Sequence, residues 1–477
     1  MGVIYQVISA MIICSTVLNV GVTFMWPAFT ILLFSSERTP LHRPMTVTEI
    51  SLLGSLSSMG SVLSTMTAGF LLDKLGRKKC CLASALCVVI FWSVLVVSRR
   101  VEAVLLAVFI SGLSNSVILI SSVYISEFSQ DSIRGSLCAA ILTFNSIGFV
   151  VSYLLGGFLE YKMMLYIGLS ISVFCMSLLF FLKDSPSYLM MRGREKESMQ
   201  ALAFYRNLKI DDQQVIDEIN ILRRNIKPTV DNEVQAIQTE LTPEMEKLNT
   251  DVKPVEKLST WQFLKKSKST RRALFINLVM LTAGIYQGQI IILVYIEQLF
   301  LVAVPSISPS LSSVFLAIAR VGAGFLAGYL SDISGRRPLM IHGSLVAAIN
   351  AAVLGTQMQF NWGPSWIAAM SIFLFSIAFT IGAGTMPLVL ASEMFLPEVK
   401  SILSMVCCEW IWICNFSILF IFNPVLKAIG WGPVFYIFAS LCLLTAIFCF
   451  FFLPETKGLT AEEIQPLVLK KANRTKL

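Results

Sequence analysis

"GYLSDISGRRP", Gly328–Pro338, closes an apolar run that begins near Ser312, and it has a twin: "GFLLDKLGRKK", Gly69–Lys79. The two copies lie 259 residues apart, with Gly69, Asp73, Gly76 and Arg77 facing Gly328, Asp332, Gly335 and Arg336, and Arg337 completing the later turn. A second pair follows in the same order. "YISEFSQDSIRGS" (Tyr124–Ser136) matches "LASEMFLPEVKSI" (Leu390–Ile402) at an offset of 266, so that Glu127 faces Glu393 and Arg134 faces Lys400. Two motifs repeated in order at nearly one spacing mark a duplicated unit.

What is duplicated follows from the apolar runs between the motifs. Hydrophobic residues make up 56% of the 477, charged ones only 14%, and 33 are Phe, a balance suited to lipid rather than water. Runs of roughly 20 apolar residues, enough to cross about 30 Å of hydrocarbon, recur about twelve times. They extend from 5–34 to 431–453, six on each side of a polar insert. Backbone groups in lipid have no water to pair with, so such runs must be helices. The expected fold is all-α: twelve transmembrane helices in two six-helix bundles. The expected divisions are an N-terminal bundle over 1–182, a loop of short helices and flexible linker over 183–270, a C-terminal bundle over 271–453 and a tail over 454–477. The low-complexity part of the loop spans about 227–258.

Charge sets the expected orientation. With both termini inside, about thirty of the 37 Lys and Arg fall in cytoplasmic segments and about six outside. The net charge of +8 is then a matter of topology, and nucleic acid is not an expected partner. The first run has no charge before Glu37 and reads as a retained span, not a cleaved signal. Eleven Cys lie singly or as adjacent pairs, mostly within spans, and there are 2 His, so neither a metal site nor a disulfide framework is expected. No loop carries a nucleophile, base and orienter together, which argues against an enzyme, and no cofactor is called for. Gly54, Gly60 and Gly69 lie inside a span, where close helix packing is their expected use.

The repeated motifs place acids and bases at one membrane surface. The Asp and the Gly-Arg turn of each copy, with Glu127 and Glu393 ending their helices at the same surface, are expected to let acid and base bridge neighbouring helices when the cytoplasmic side closes and part when it opens; the alternative is that the charges only anchor the topology. These residues resemble the sugar porters of the major facilitator superfamily. "PETKGLTAEEI" (Pro454–Ile464) is nearly that family's C-terminal motif, and "KDSPSYL" (Lys183–Leu189) is a degraded copy of its Pro-Glu-Ser-Pro-Arg-Trp-Leu stretch. The resemblance implies two bundles rocking about a central solute cavity, with the cytoplasmic motifs latching the outward-facing state.

Carried over residue by residue, the implied cavity is altered. In the seventh span Gly284, Ile285 and Ile290 stand where the family has sugar-binding amides, with Gln287 one turn from Gly284. Gln287 is read as either a cavity residue or a helix-to-helix hydrogen bond. Leu142 replaces a glutamine of the fifth span, with Asn145 three residues on, and Leu388 replaces a tryptophan of the tenth. Trp412 and Asn415 match the family's eleventh span: an indole packs on a sugar's C–H face, and an amide binds hydroxyls.

Arg320 occupies the family's cavity asparagine, twelve residues before Asp332. A mid-membrane Arg costs about 2.5–3.5 kcal/mol on insertion scales, so it should face a cavity or an acid. Glu409, one turn before Trp412, is the expected partner. The pair is open to three roles: mutual neutralisation, binding of a sugar or an anionic solute, or proton exchange through Glu409. The resemblance implies a plasma-membrane, multi-pass carrier of a small-molecule solute, a sugar of trehalose or hexose type, with the lipid bilayer as its surroundings. A carrier of a sugar acid or other small anion and a non-transporting solute sensor are the alternatives.

Overall fold

A computed structural model describes residues 2–224, 267–305, 307–459 and 461–469. Among these residues there is no strand, and twelve helices are long and apolar enough to cross a membrane. They are α1 (Val3–Ser35), α2 (Val47–Leu75), α3 (Arg77–Val97), α4 (Val101–Phe128), α5 (Ser132–Phe158) and α6 (Tyr161–Leu179), then α7 (Lys268–Val294), α8 (Pro309–Ser334), α9 (Arg336–Phe360), α10 (Ser365–Ala391), α11 (Ile402–Ile429) and α12 (Trp431–Phe452). The chain is thus a multi-pass membrane protein of two six-helix bundles. The low-complexity stretch at 227–258 lies outside the described residues.

Local sequence explains where the spans bend. Proline has no N–H to continue the helical ladder, and α1 is interrupted before Pro27. Within α7, Gly288 takes φ +92, and the ring of Phe438 stands 2.5 Å from where a Cβ would sit, so only glycine fits. A helix resumes at Gln289. In α10 the run Thr380–Gly384 forms a single π-helical turn. A capping box starts α2: the Thr46 hydroxyl accepts from the Glu49 N–H, and the Glu49 carboxylate accepts from the Thr46 N–H at 2.8 Å.

Within each bundle, small residues let backbones touch, the device expected where lipid supplies no hydrophobic drive between helices. A Cβ on Gly112 of α4 would fall 2.1 Å from the Ser57 carbonyl of α2. Gly148 meets α1 and Gly343 meets α10 in the same way. Short helices Pro186–Met191 and Glu195–Arg206 dock on the face where α4 ends. There Tyr205 donates to the Lys183 carbonyl at 2.5 Å, and Arg206 donates to Phe128 O at 2.8 Å. Burial raises the Tyr205 phenol above its ordinary pKa.

An even number of spans puts both ends of the described chain on one face, together with the turns at Gly76 and Gly335; we call it the basic face. The two bundles meet along two seams, α2 against α11 and α5 against α8. The contacts gather away from the basic face. Asn423 Nδ2 donates to Val47 O at 3.2 Å, Tyr153 donates to Leu293 O at 2.9 Å, and Gly157 lies against Ser310. Toward the basic face, Gly69, Gly135 and Gly328 have no neighbouring atom within 4 Å of a Cβ position. The bundles therefore touch at one face and part at the other.

Candidate functional site

At the basic face each bundle carries one charged network, and the two match. Arg77 donates through Nε and Nη2 to Glu127 at 2.7–3.1 Å, and through Nη1 to Leu72 O at 3.2 Å. Arg336 does the same to Glu393 at 2.8–3.1 Å and to Ser331 O at 2.9 Å. Beside each arginine an acid receives the first N–H groups of a helix. Asp184 Oδ1 accepts from Arg77 N and Lys78 N at 3.1 and 3.2 Å, and Glu455 accepts from Arg336 N and Arg337 N at 2.9 and 3.1 Å. A carboxylate there satisfies orphan donors and faces the positive end of the helix dipole.

Glycine is required at both turns. Gly76 and Gly335 have φ +91 and +87, and a Cβ would come within 2.5 Å of Asp184 Oδ2 and 2.7 Å of Glu455 Oε2. The expected opening and closing of acid–base bridges is corrected here for the Arg–Glu pairs. Each bridge lies inside its own bundle and both are formed while the basic face is open, so each ties one bundle internally. The acids left outside are Asp73 and Asp332, whose side chains are 83% and 82% exposed, at 4.0 and 3.8 Å from their arginines. Arg134 donates to Ser129 O at 3.4 Å, and Lys400 is exposed.

In mid-membrane an aromatic contact crosses between bundles. Trp412 of α11 meets Phe24 of α1 edge-on at 6.0 Å between centroids, and Phe24 stacks on Phe149 of α5 at 6.2 Å. Asn415, 9% exposed, lies one turn beyond Trp412. The adjoining face of α11 is tied to α7: Trp410 Nε1 donates to Thr282 at 2.7 Å, and the Tyr286 and Ser417 hydroxyls lie 2.6 Å apart. This leaves the Trp412 side of α11 turned to the opposite bundle.

Three of the remaining expectations change. Gln287 is fully buried with neither amide atom hydrogen-bonded, so in this conformer it lines no open space and makes no helix-to-helix bond. Gln289, across the Gly288 break, is enclosed in the same way. Asn145 is turned to α1, its Oδ1 3.2 Å from a Cβ position on Gly21. Arg320 and Glu409 form no ion pair. Arg320 belongs to α8, on the seam with α5, with the neutral phenol of Tyr153 among its neighbours. Glu409 belongs to α11, on the seam with α2, and both its oxygens are buried without a partner.

Residues that the sequence reading passed over now stand at the site. Asp184 does in the first bundle what Glu455 does in the second, an equivalence signalled by the position of "KDS" after the sixth span and "PET" after the twelfth. Phe24 and Tyr153 gave no such signal, because an aromatic within an apolar run has no mark of its own.

Comparison with known proteins bears on the whole arrangement. The chain is 25% identical over 431 residues to the facilitated trehalose transporter Tret1 of Culex quinquefasciatus, covering 89% of this chain and 78% of that protein. Against Tret1 of Aedes aegypti the identity is also 25% over 431 residues, 89% of this chain but 50% of that longer protein. The fold superposes on the inward open conformation of the xylose transporter XylE from E. coli with a TM-score of 0.74 at 17% identity, covering 96% of this chain and 98% of that one. Residues 7–468 match the family described as "Sugar (and other) transporter", and with nearly the whole chain matched, the protein belongs to that family of membrane transporters.

Proposed function

We propose that this protein is a secondary carrier that moves a sugar across a membrane by alternating access, facilitatively and without a catalytic step. The observation that carries this reading is how weakly the bundles are joined. Single side-chain hydrogen bonds, Tyr153 to Leu293 O and Asn423 to Val47 O, connect them away from the basic face, whereas each bundle is tied internally by its own charged network. Such a body rocks without breaking its bundles. Trp412 and Asn415, with Phe24 opposite, form the proposed solute contact. Gln287 joins it only after α7 shifts, and Asn145 serves the packing of α1 on α5. The bundles divide at the insert, 183–270, with a tail from 454.

The excess of Lys and Arg on the basic face supports a cytoplasmic placement of that face and of both termini, in the plasma membrane. The present conformer is then open to the cytoplasm. The names of the relatives make trehalose the first solute to test, with D-glucose beside it. Purified protein in proteoliposomes, preloaded with unlabelled solute, should exchange it for labelled solute. Binding with no exchange would replace the carrier reading with a solute sensor.

A further inference from the structure

We infer that the solute carried through this site bears a carboxylate, and that Arg320 is the residue that receives it. The inference rests on the transport reading above and names the class of its solute. Among the described residues Arg320 makes no hydrogen bond and no ion pair. Its Nε is enclosed without a partner, whereas the two Nη atoms are unbonded but not enclosed. The Nε is therefore held within protein, while the Nη fork keeps accessible surface and hydrogen-bonding capacity. Arg320 is half-buried and, by helical spacing, in line with the buried Ser313, Leu316, Ala323 and Ala327 of α8. Its neighbour across the seam is Tyr153, whose hydroxyl is committed to Leu293 O. Glu297, near Tyr153, takes a hydrogen bond from Ser310 at 3.4 Å, and Glu409 lies on the other seam.

The internal repeat supplies a control. The position 259 residues before Arg320 is Ser61, fully buried in α2. Its hydroxyl accepts from Asn115 at 2.6 Å and donates to Ser57 O at 2.7 Å, with Gly112 O at 3.3 Å, all inside its own bundle. At the 266-residue offset, Gly112 and Asn115 correspond to Ala378 and Ile381, which offer no polar side chain. The second copy has thus lost the internal partner and gained a cation aimed at the seam. A guanidinium fork matches the two oxygens of a carboxylate. One cation balances one carboxylate, whereas a phosphate monoester, with a charge of about −1.5 to −2 at neutral pH, would leave a residual charge in the membrane.

The test is counterflow in proteoliposomes with labelled D-glucuronate, D-glucose and D-glucose 6-phosphate, together with thermal unfolding of the purified protein in each solute. Glucuronate exchange should exceed glucose exchange by about tenfold or more, and glucuronate alone should raise the unfolding temperature. Arg320→Gln should lose that shift and at least about tenfold of the glucuronate flux, while Arg320→Lys keeps part of both. If Arg320→Gln does not fold, the wild-type comparison of the three solutes decides alone. Exchange of glucose without preference for glucuronate overturns the inference and leaves sugar transport standing. Preference for the phosphate overturns the carboxylate assignment. Exchange of none of these overturns the inference, and if preloaded trehalose is not exchanged either, the transport reading falls with it.

Discussion

Replacing Glu455 by alanine tests whether the acid beside the Gly335 turn holds the start of α9. Its two oxygens accept four backbone N–H groups: Arg336 at 2.9 Å, Arg337 at 3.1 Å, Thr456 at 3.0 Å and Lys457 at 3.1 Å. The first two belong to the opening turn of α9, where no intrahelical acceptor exists. Hydrogen bonds to a charged group contribute about 1.5–3 kcal/mol each, and a charge at a helix N-terminus adds about 0.3–1 kcal/mol. Glu455 is half-buried, so water replaces part of what is lost. We therefore expect the turn to lose about 2–3 kcal/mol of local stability, less than the sum of the two bonds. Hydrogen exchange followed by mass spectrometry on peptides starting near Gly335 reads this directly, because those amides have no other protection. Exchange at Arg336 and Arg337 should rise roughly 30- to 150-fold. Glu455→Gln, which keeps one acceptor oxygen, should fall between. Unchanged exchange in the alanine variant would mean that water already serves these groups and that the network is not a structural lock.

Asn423→Ala together with Tyr153→Phe removes two inter-bundle hydrogen bonds, worth about 1 kcal/mol each, and should shift the population roughly 30-fold toward the other conformer. Maleimide labelling of a cysteine placed at Gly69 reports this as slower modification. Trp412→Ala should reduce solute exchange by about tenfold or more with little change in unfolding temperature, since its ring spans an inter-bundle contact and not a bundle core. Gly112→Ala sets a methyl 2.1 Å from the Ser57 carbonyl and should lower the unfolding temperature by several degrees, the mark of a destabilisation of about 1–3 kcal/mol.

The spans and the duplication were legible because hydrophobic length and a repeated charge pattern are properties of a linear chain. The partner of Arg320 was not. Position along a span gives depth, which is what puts Arg320 and Glu409 well inside their spans. Which neighbour a helix faces depends on how twelve cylinders are arranged, and α8 and α11 belong to different seams. Gln287 failed for a related reason: it keeps its helical phase with Gly284 as the last residue before the Gly288 break, and the packing of its neighbours encloses it. Asp184 was hidden by comparison of letters. A stretch that looks degraded keeps its acid, and the acid is what the helix start requires.

The seams also reassign the repeated charges. Arg77 with Glu127 and Arg336 with Glu393 stay within their bundles, so closing the basic face need not form or break them. Other charges of the repeated motifs lie at the seam ends. Asp73 ends α2 and Lys400 lies near the start of the helix carrying α11, while Asp332 ends α8 and Arg134 lies near the start of α5. Gly69 and Gly328 leave space around the ends of α2 and α8. Exposed ion pairs formed there on closure would contribute about 0–1 kcal/mol each, and the two hydrogen bonds at the opposite face contribute about 1 kcal/mol each. These polar contributions are of one size. A carrier must visit both ends of its cycle, so neither end can lie many kcal/mol below the other. Strong charge networks inside the bundles and weak, matched contacts between them meet that requirement.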